Sequence, residues 1–110
     1  IALYGIHFAS DSATLQPDSD ATLAEMAKLL QAQPALKVWI VGHTDTSGSL
    51  AHNLALSQQR AEAVVKALTA RYKVATGRLA AKGMGPYAPV ASNRNDAGKA
   101  KNRRVEMVEQ

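Results

Sequence analysis

No cysteine occurs anywhere in the chain, which excludes a disulfide frame and a thiolate metal site. Its absence is compatible with an oxidising compartment without demonstrating one. No apolar run approaches the roughly 18 residues that a membrane-spanning helix requires, and no signal-like leader opens the sequence. Aromatic residues make up only 5%, so the interior implied by a hydrophobic content of 46% must be filled by Ala, Val and Leu, small side chains that let helices lie close on a sheet. Acidic residues are the minority charge: 13 Lys and Arg against 9 Asp and Glu give a net charge of +4. That balance favours acidic partners, among them nucleic acid, anionic headgroups and carboxylate-bearing polymers, and does not choose between them. The length of 110 residues suffices for one packed core, so a single domain over residues 1–110 is expected. The chain opens inside an apolar segment, which leads to the expectation of a soluble domain whose export signal or membrane anchor lies upstream.

Ile1 to Phe8 alternates as a strand with Tyr4, Ile6 and Phe8 on one side. Pro17 then stands at a first helical position, with Asp18 and Asp20 complementing a helix N-terminus. Leu23, Met26, Ala27 and Leu30 recur at helical spacing until Pro34 stops the run. Leu36 to Val41 is a strand whose nearly continuous hydrophobicity predicts cover on both faces, with Trp39 in the core. A polar loop, Gly42 to Ser49, leads into a helix from Ser49 or Leu50 to Tyr72, striped by Leu54, Ala61, Val64, Val65 and Leu68. Arg78 to Lys82 reads as a strand that Gly83, Gly85 and Pro86 end, Tyr87 to Lys101 as an ordered loop with one helical turn, and Arg103 to Val108 as a last strand with Val105 and Met107 inward. The predicted fold is α/β (α+β): a two-layer β-α-β-α-β-β sandwich, two main helices on a mixed sheet of about four strands.

The loop after the second strand lies where open α/β sheets bind ligands, and it carries Asp45 between Gly42 and Gly48. On the following helix, with Asn53 set at zero, Leu56 falls at about 300° and Arg60 at about 340°, while the apolar stripe centres at about 70°. These three residues therefore share a face turned away from the stripe and towards the loop. Asp45 and Arg60 are read as a charge pair split across one pocket and complementary to a zwitterion, the carboxylate accepting from an ammonium and the guanidinium gripping a carboxylate with two prongs. The alternative is an ordinary surface salt bridge between the two, worth ~0–1 kcal/mol. Leu56 is an apolar residue on the polar side and needs something to cover.

Three other chemistries are weighed. His43, Asp45 and Ser47 are the residue types of a hydrolase triad, but alternate positions of one short loop cannot form a relay without folding back on each other, so no catalytic residue is assigned. His7, His43 and His52 show no paired ligand spacing, so neither metal nor cofactor is assigned. Lys99, Lys101, Arg103 and Arg104 are basic but not interleaved with aromatics, which argues against nucleic acid.

The segments G-H-T-D-T-S-G (Gly42 to Gly48), N-L-A-L-S-Q-Q-R-A (Asn53 to Ala61), G-M-G (Gly83 to Gly85) and N-R-R-V-E (Asn102 to Glu106) resemble the motif set of the OmpA-like C-terminal domain. That family includes peptidoglycan-associated lipoprotein and the periplasmic part of flagellar stator proteins. The likeness runs from Phe8 to the last strand. It implies noncovalent binding of peptidoglycan through the diaminopimelate of the stem peptide, on the periplasmic face of the outer membrane in a Gram-negative envelope. The stator-type or secretion-system setting is the alternative, with a homodimer implied in the stator-type branch. In the family the aspartate and the arginine at the positions of Asp45 and Arg60 hold the amino and carboxylate groups of diaminopimelate, and the rest of the pocket maps onto Phe8 to Asp11, Thr44, Asn53, Leu56, Arg103 and Arg104. Two departures stand out: Ala9 where many members carry an acid, with Asp11 two positions later, and Lys99 in place of the usual arginine after Gly98.

Overall fold

Both main helices lie on one face of the sheet, and that arrangement decides which strand residues are buried. A computed structural model describes residues 1–110. Its elements are α1 (Asp20–Ala32), β1 (Val38–His43), α2 (Leu50–Tyr72), β2 (Leu79–Gly85), α3 (Asp96–Asn102) and β3 (Val105–Glu109). The strands form one mixed sheet in the order β2-β1-β3, parallel between β1 and β2 and antiparallel between β1 and β3. The predicted α/β class and helix-on-sheet layering are present.

The expected fourth strand is reduced to a short edge contact. Ile1 and Leu3 exchange backbone hydrogen bonds with Met107 and Val105 around a single Ala2–Glu106 bridge. The chain then leaves the sheet, because Ile6 turns into the core and Ser19 holds His7 by both its N–H and its carbonyl. Phe8 pairs only with Leu15, closing a small loop in which Asp11 takes a left-handed conformation (φ 52°).

The core consists of Leu23, Met26, Ala27 and Leu30 from α1, Val38 and Ile40 from β1, Ala61, Val64, Ala67 and Leu68 from α2, and Val105 and Met107 from β3, with Ile6, Val74 and Leu79. Full burial of each Leu or Ile contributes about 1.5–3 kcal/mol. Trp39 does not join them and is 43% exposed. Alternation along β1 sends Val38 and Ile40 to the helices and Trp39 to the opposite face, which no helix covers. The expectation of cover on both faces fails there.

Strand ends also differ from expectation. β1 continues through Gly42 and His43, and β2 through Gly83 to Gly85, so these glycines belong to the sheet instead of ending it. A Cβ on Gly42 would stand 2.3 Å from the Ser57 carbonyl oxygen, and one on Gly83 2.3 Å from the Gln58 nitrogen. The glycines therefore let α2 lie directly on the strand ends. α2 itself follows its sequence: Ser49 caps the N-terminus by accepting from the His52 N–H, and Lys73 ends the helix in the left-handed region. α3 extends beyond the one expected turn, capped by Asn95 accepting from the Gly98 N–H.

Candidate binding site

The C-terminal end of β1, the N-terminal end of β3 and the segment Tyr4–Asp11 enclose a cleft of about 490 Å³. Phe8, Asp11, His43, Arg60, Arg103 and Arg104 are on its wall.

Arg60 enters from the third turn of α2. Its Nε donates to the Ser12 carbonyl at 2.8 Å and one Nη2 hydrogen to the Ala9 carbonyl at 3.4 Å, while the guanidinium lies over the Phe8 ring, 5.0 Å from its centroid. The loop after Phe8 thus fixes the plane of the group, and Nη1 has no protein partner. Burial lowers its pKa, Asp11 opposes this and the charge of Arg103 adds to it. A guanidinium remains protonated throughout the physiological range.

Asp45 lies behind this wall rather than on it. One carboxylate oxygen accepts from the Ser47 N–H at 2.8 Å, a local turn, and the other from Arg103 Nη1 at 2.6 Å. Burial alone would raise its pKa, but the Ser47 N–H and the Arg103 guanidinium outweigh it and hold the carboxyl below its usual range. Asp45 and Arg60 do not pair with each other, so the ordinary surface bridge weighed from the sequence is not formed. Arg103 lies between them, with its side chain half exposed.

Thr44 and Asn53 are buried, and they shape the loop. Thr44 donates its backbone N–H to Gly85 and its hydroxyl to the Asp45 carbonyl. Asn53 Nδ2 donates to the Ser47 carbonyl at 2.8 Å. Leu56 is buried as well, so the buried face of α2 runs through Asn53, Leu56 and Ser57 and leaves Leu54 and Val65 half-buried at its edge. The sequence stripe is therefore displaced towards the loop. Asp11 is exposed and meets His52 Nε2 at 2.5 Å, tying the pocket loop to the first turn of α2.

Arg104 reaches the wall but is 5% exposed, donating to the Ala88 and Asn102 carbonyls beside Glu106. His43 Nε2 approaches the same Glu106 at 2.6 Å, without the alignment of a hydrogen bond. Burial, then the Arg104 charge, lower the His43 pKa against the pull of Glu106. Burial would raise that of Glu106, but Arg104 and His43 together bring it down. Sequence reasoning missed Glu106. The available signal was the alternation in R-R-V-E, which sets Arg104 and Glu106 on the face opposite Val105. It also missed Asn102, whose side chain holds Val90, Ala91 and Asn93 and so folds the segment covering Arg104.

An open three-stranded sheet with helices on one face, and an arginine-lined cleft between the ends of β1 and β3 and the N-terminal segment, define a small α/β domain with a candidate ligand cleft. Residues 7–103 match the OmpA family model, and the chain belongs to that family. It is 45% identical over 103 residues to the peptidoglycan-binding protein ArfA of Mycobacterium tuberculosis, covering 94% of this chain and 31% of that protein. Among solved structures, the peptidoglycan-associated lipoprotein of Burkholderia pseudomallei is 37% identical with a TM-score of 0.85, covering 96% of this chain and 88% of that one. The cell wall anchor of the T6SS from Pseudomonas aeruginosa is 35% identical with a TM-score of 0.80, covering 94% and 75%. The chain spans between 29% and 60% of the length of the curated relatives it matches.

Proposed function

We propose that residues 1–110 act as one noncovalent peptidoglycan-binding domain that takes the diaminopimelate of a stem peptide and anchors an envelope protein to the cell wall. The observation that carries this reading is Arg60. Its plane is fixed by two loop carbonyls and the Phe8 ring, its Nη1 is unpaired, and it lines a cleft that also holds Arg103, with Asp45 bonded to Arg103 behind. Such a group is prepared for a carboxylate, because little side-chain entropy remains to be lost on binding. The names of the relatives support the same reading, and the lipoprotein among them supports a place on the periplasmic face of a Gram-negative outer membrane. The alternative setting is a stator-type or secretion-system protein using the same pocket, and the T6SS anchor supports the secretion-system form of it.

Binding without turnover is the better reading of the loop chemistry. His43 lies against Glu106 on the other side of the strand end and does not stand between Asp45 and Ser47, so the three do not form a relay. The histidines also diverge, each facing its own carboxylate: His7 with Asp18, His43 with Glu106 and His52 with Asp11.

The test is sedimentation with purified diaminopimelate-type sacculi. Arg60→Ala should abolish co-sedimentation, and Arg60→Lys should weaken it, because an ammonium cannot make the planar two-pronged contact. Asp45→Asn, which keeps an oxygen for the Ser47 N–H and loses the charge, should also fall to background. Undiminished retention of both Arg60→Ala and Asp45→Asn, with unchanged circular dichroism, would sink the assignment.

A further inference from the structure

The cleft shows an imbalance of charge that the zwitterion reading does not by itself explain. Two guanidiniums with unpaired N–H groups, those of Arg60 and Arg103, stand on its wall. The carboxylate to which the proposed function assigns the ammonium, that of Asp45, has both oxygens engaged and its side chain 10% exposed. The Asp11 carboxylate, which does line the wall, is paired to His52 through one oxygen. An incoming ammonium therefore meets Arg103 before it meets Asp45.

We infer that Arg103 is a resident counter-ion that sets specificity: it covers Asp45, and a ligand end bearing both an ammonium and a carboxylate exchanges partners with it. The ammonium takes the Asp45 oxygen, and Arg103 turns onto the ligand carboxylate beside Arg60. This deepens the proposed function and rests on it. The exchange conserves ion pairs, since one is broken and both of its members are paired again. An ammonium without a carboxylate breaks the same pair and leaves Arg103 beside Arg60 with no anion, which like-charge repulsion and the lost contact both oppose. Half exposure of the Arg103 side chain, whose only side-chain partner is Asp45, gives it freedom to swing. Arg104, its neighbour in sequence, is held by two carbonyls and Glu106 and cannot substitute for it. Arg103 thus separates diaminopimelate from lysine, two residues that differ at the side-chain end by one carboxylate.

Isothermal titration with two stem tripeptides tests this, their third residue being meso-diaminopimelate in one and L-lysine in the other. Wild type should prefer the first. Arg103→Met removes the counter-ion and keeps a similar stem, so the lysine tripeptide should bind roughly three- to tenfold tighter than it does to wild type. The diaminopimelate tripeptide should gain nothing from the change, so the preference narrows. The Arg103 Nε–H resonance of wild type should shift with the diaminopimelate tripeptide and much less with the lysine one. Equal weakening of both tripeptides in Arg103→Met, or an unchanged affinity for the lysine tripeptide, would overturn the exchange while leaving diaminopimelate binding by wild type intact. Failure of wild type to bind the diaminopimelate tripeptide would overturn the underlying reading and the exchange with it.

Discussion

His43 shows how one residue can be misplaced by local pattern and corrected by register. In sequence it is a loop histidine between Gly42 and Thr44. In the fold it is the last residue of β1, and its N–H donates to the Arg104 carbonyl of a strand far along the chain, which sets its ring against Glu106. The consequence is a pH dependence whose sign can be worked out. Burial lowers the His43 pKa from its ordinary 6.5, so near and below that value the unfolded chain binds more protons than the folded one. Stability from this group is therefore full above 6.5 and is lost as pH falls from there towards the folded value. Glu106 has the same sign in a lower window: its pKa is held below its ordinary 4.5, so its contribution is present above that and fades beneath it. The melting temperature of wild type should fall between pH 7.5 and 5.5, and His43→Gln should flatten that fall; equal slopes in the two proteins would remove His43 as its source. The other residues of the site differ in how far they can be read. The types at Asp45 and Arg60 are visible in the motifs, whereas the partner of each, Arg103 for one and the Ser12 and Ala9 carbonyls for the other, depends on loops that only the fold brings together.

At the scale of elements, the two main helices were legible because each carries its own periodicity and stops: Pro17 and Pro34 around α1, Ser49 and Lys73 around α2. Strand ends were not, because glycines that read as turn residues are instead the places where α2 rests on the sheet. The free edge of β2 is closed in the same way. Gln58 accepts from the Gly83 N–H and donates to the Ala81 carbonyl, and Ser57 accepts from the Gly85 N–H, so the edge offers few groups for pairing with another chain. A comparable device ends α1. Arg78, just before β2, donates to the carbonyls of Leu30, Gln33 and Leu36, satisfying the last turn of the helix from a segment more than 40 residues away. Arg78→Ala leaves those carbonyls, of which the Leu30 and Leu36 contacts are part-buried, to water and should cost about 1–3 kcal/mol. Thermal denaturation should show a melting temperature lower by several degrees with the retention on sacculi expected of wild type kept, since Arg78 is remote from the cleft; an unchanged melting temperature would mean that water replaces the guanidinium without loss.

For the whole molecule the proposed function raises the question of how a site with two or three charge-assisted contacts would hold a protein to a wall. Each such contact contributes about 1.5–3 kcal/mol, and immobilising a flexible stem peptide offsets much of the sum, so the affinity of one cleft for one peptide is modest. The cleft lies at the strand ends of a body measuring 40 × 27 × 21 Å, which leaves the rest of the surface free of the ligand. The wall presents the same ligand at high density, so a second copy held nearby meets it at a high effective concentration. Two copies of this chain joined by a flexible linker should therefore be retained on sacculi about 10²-fold more strongly than one, provided the linker lets both clefts reach stem peptides. Arg60→Ala in one half should return retention to the single-copy level without changing solution behaviour, which separates avidity from nonspecific attraction by the net charge of +4. The charge effect should weaken as salt rises past the physiological range, where the screening length is about 8 Å, while the difference between the tandem and its half-inactivated form persists. If the half-inactivated tandem is retained as well as the intact one, charge rather than the cleft holds the chain to the wall.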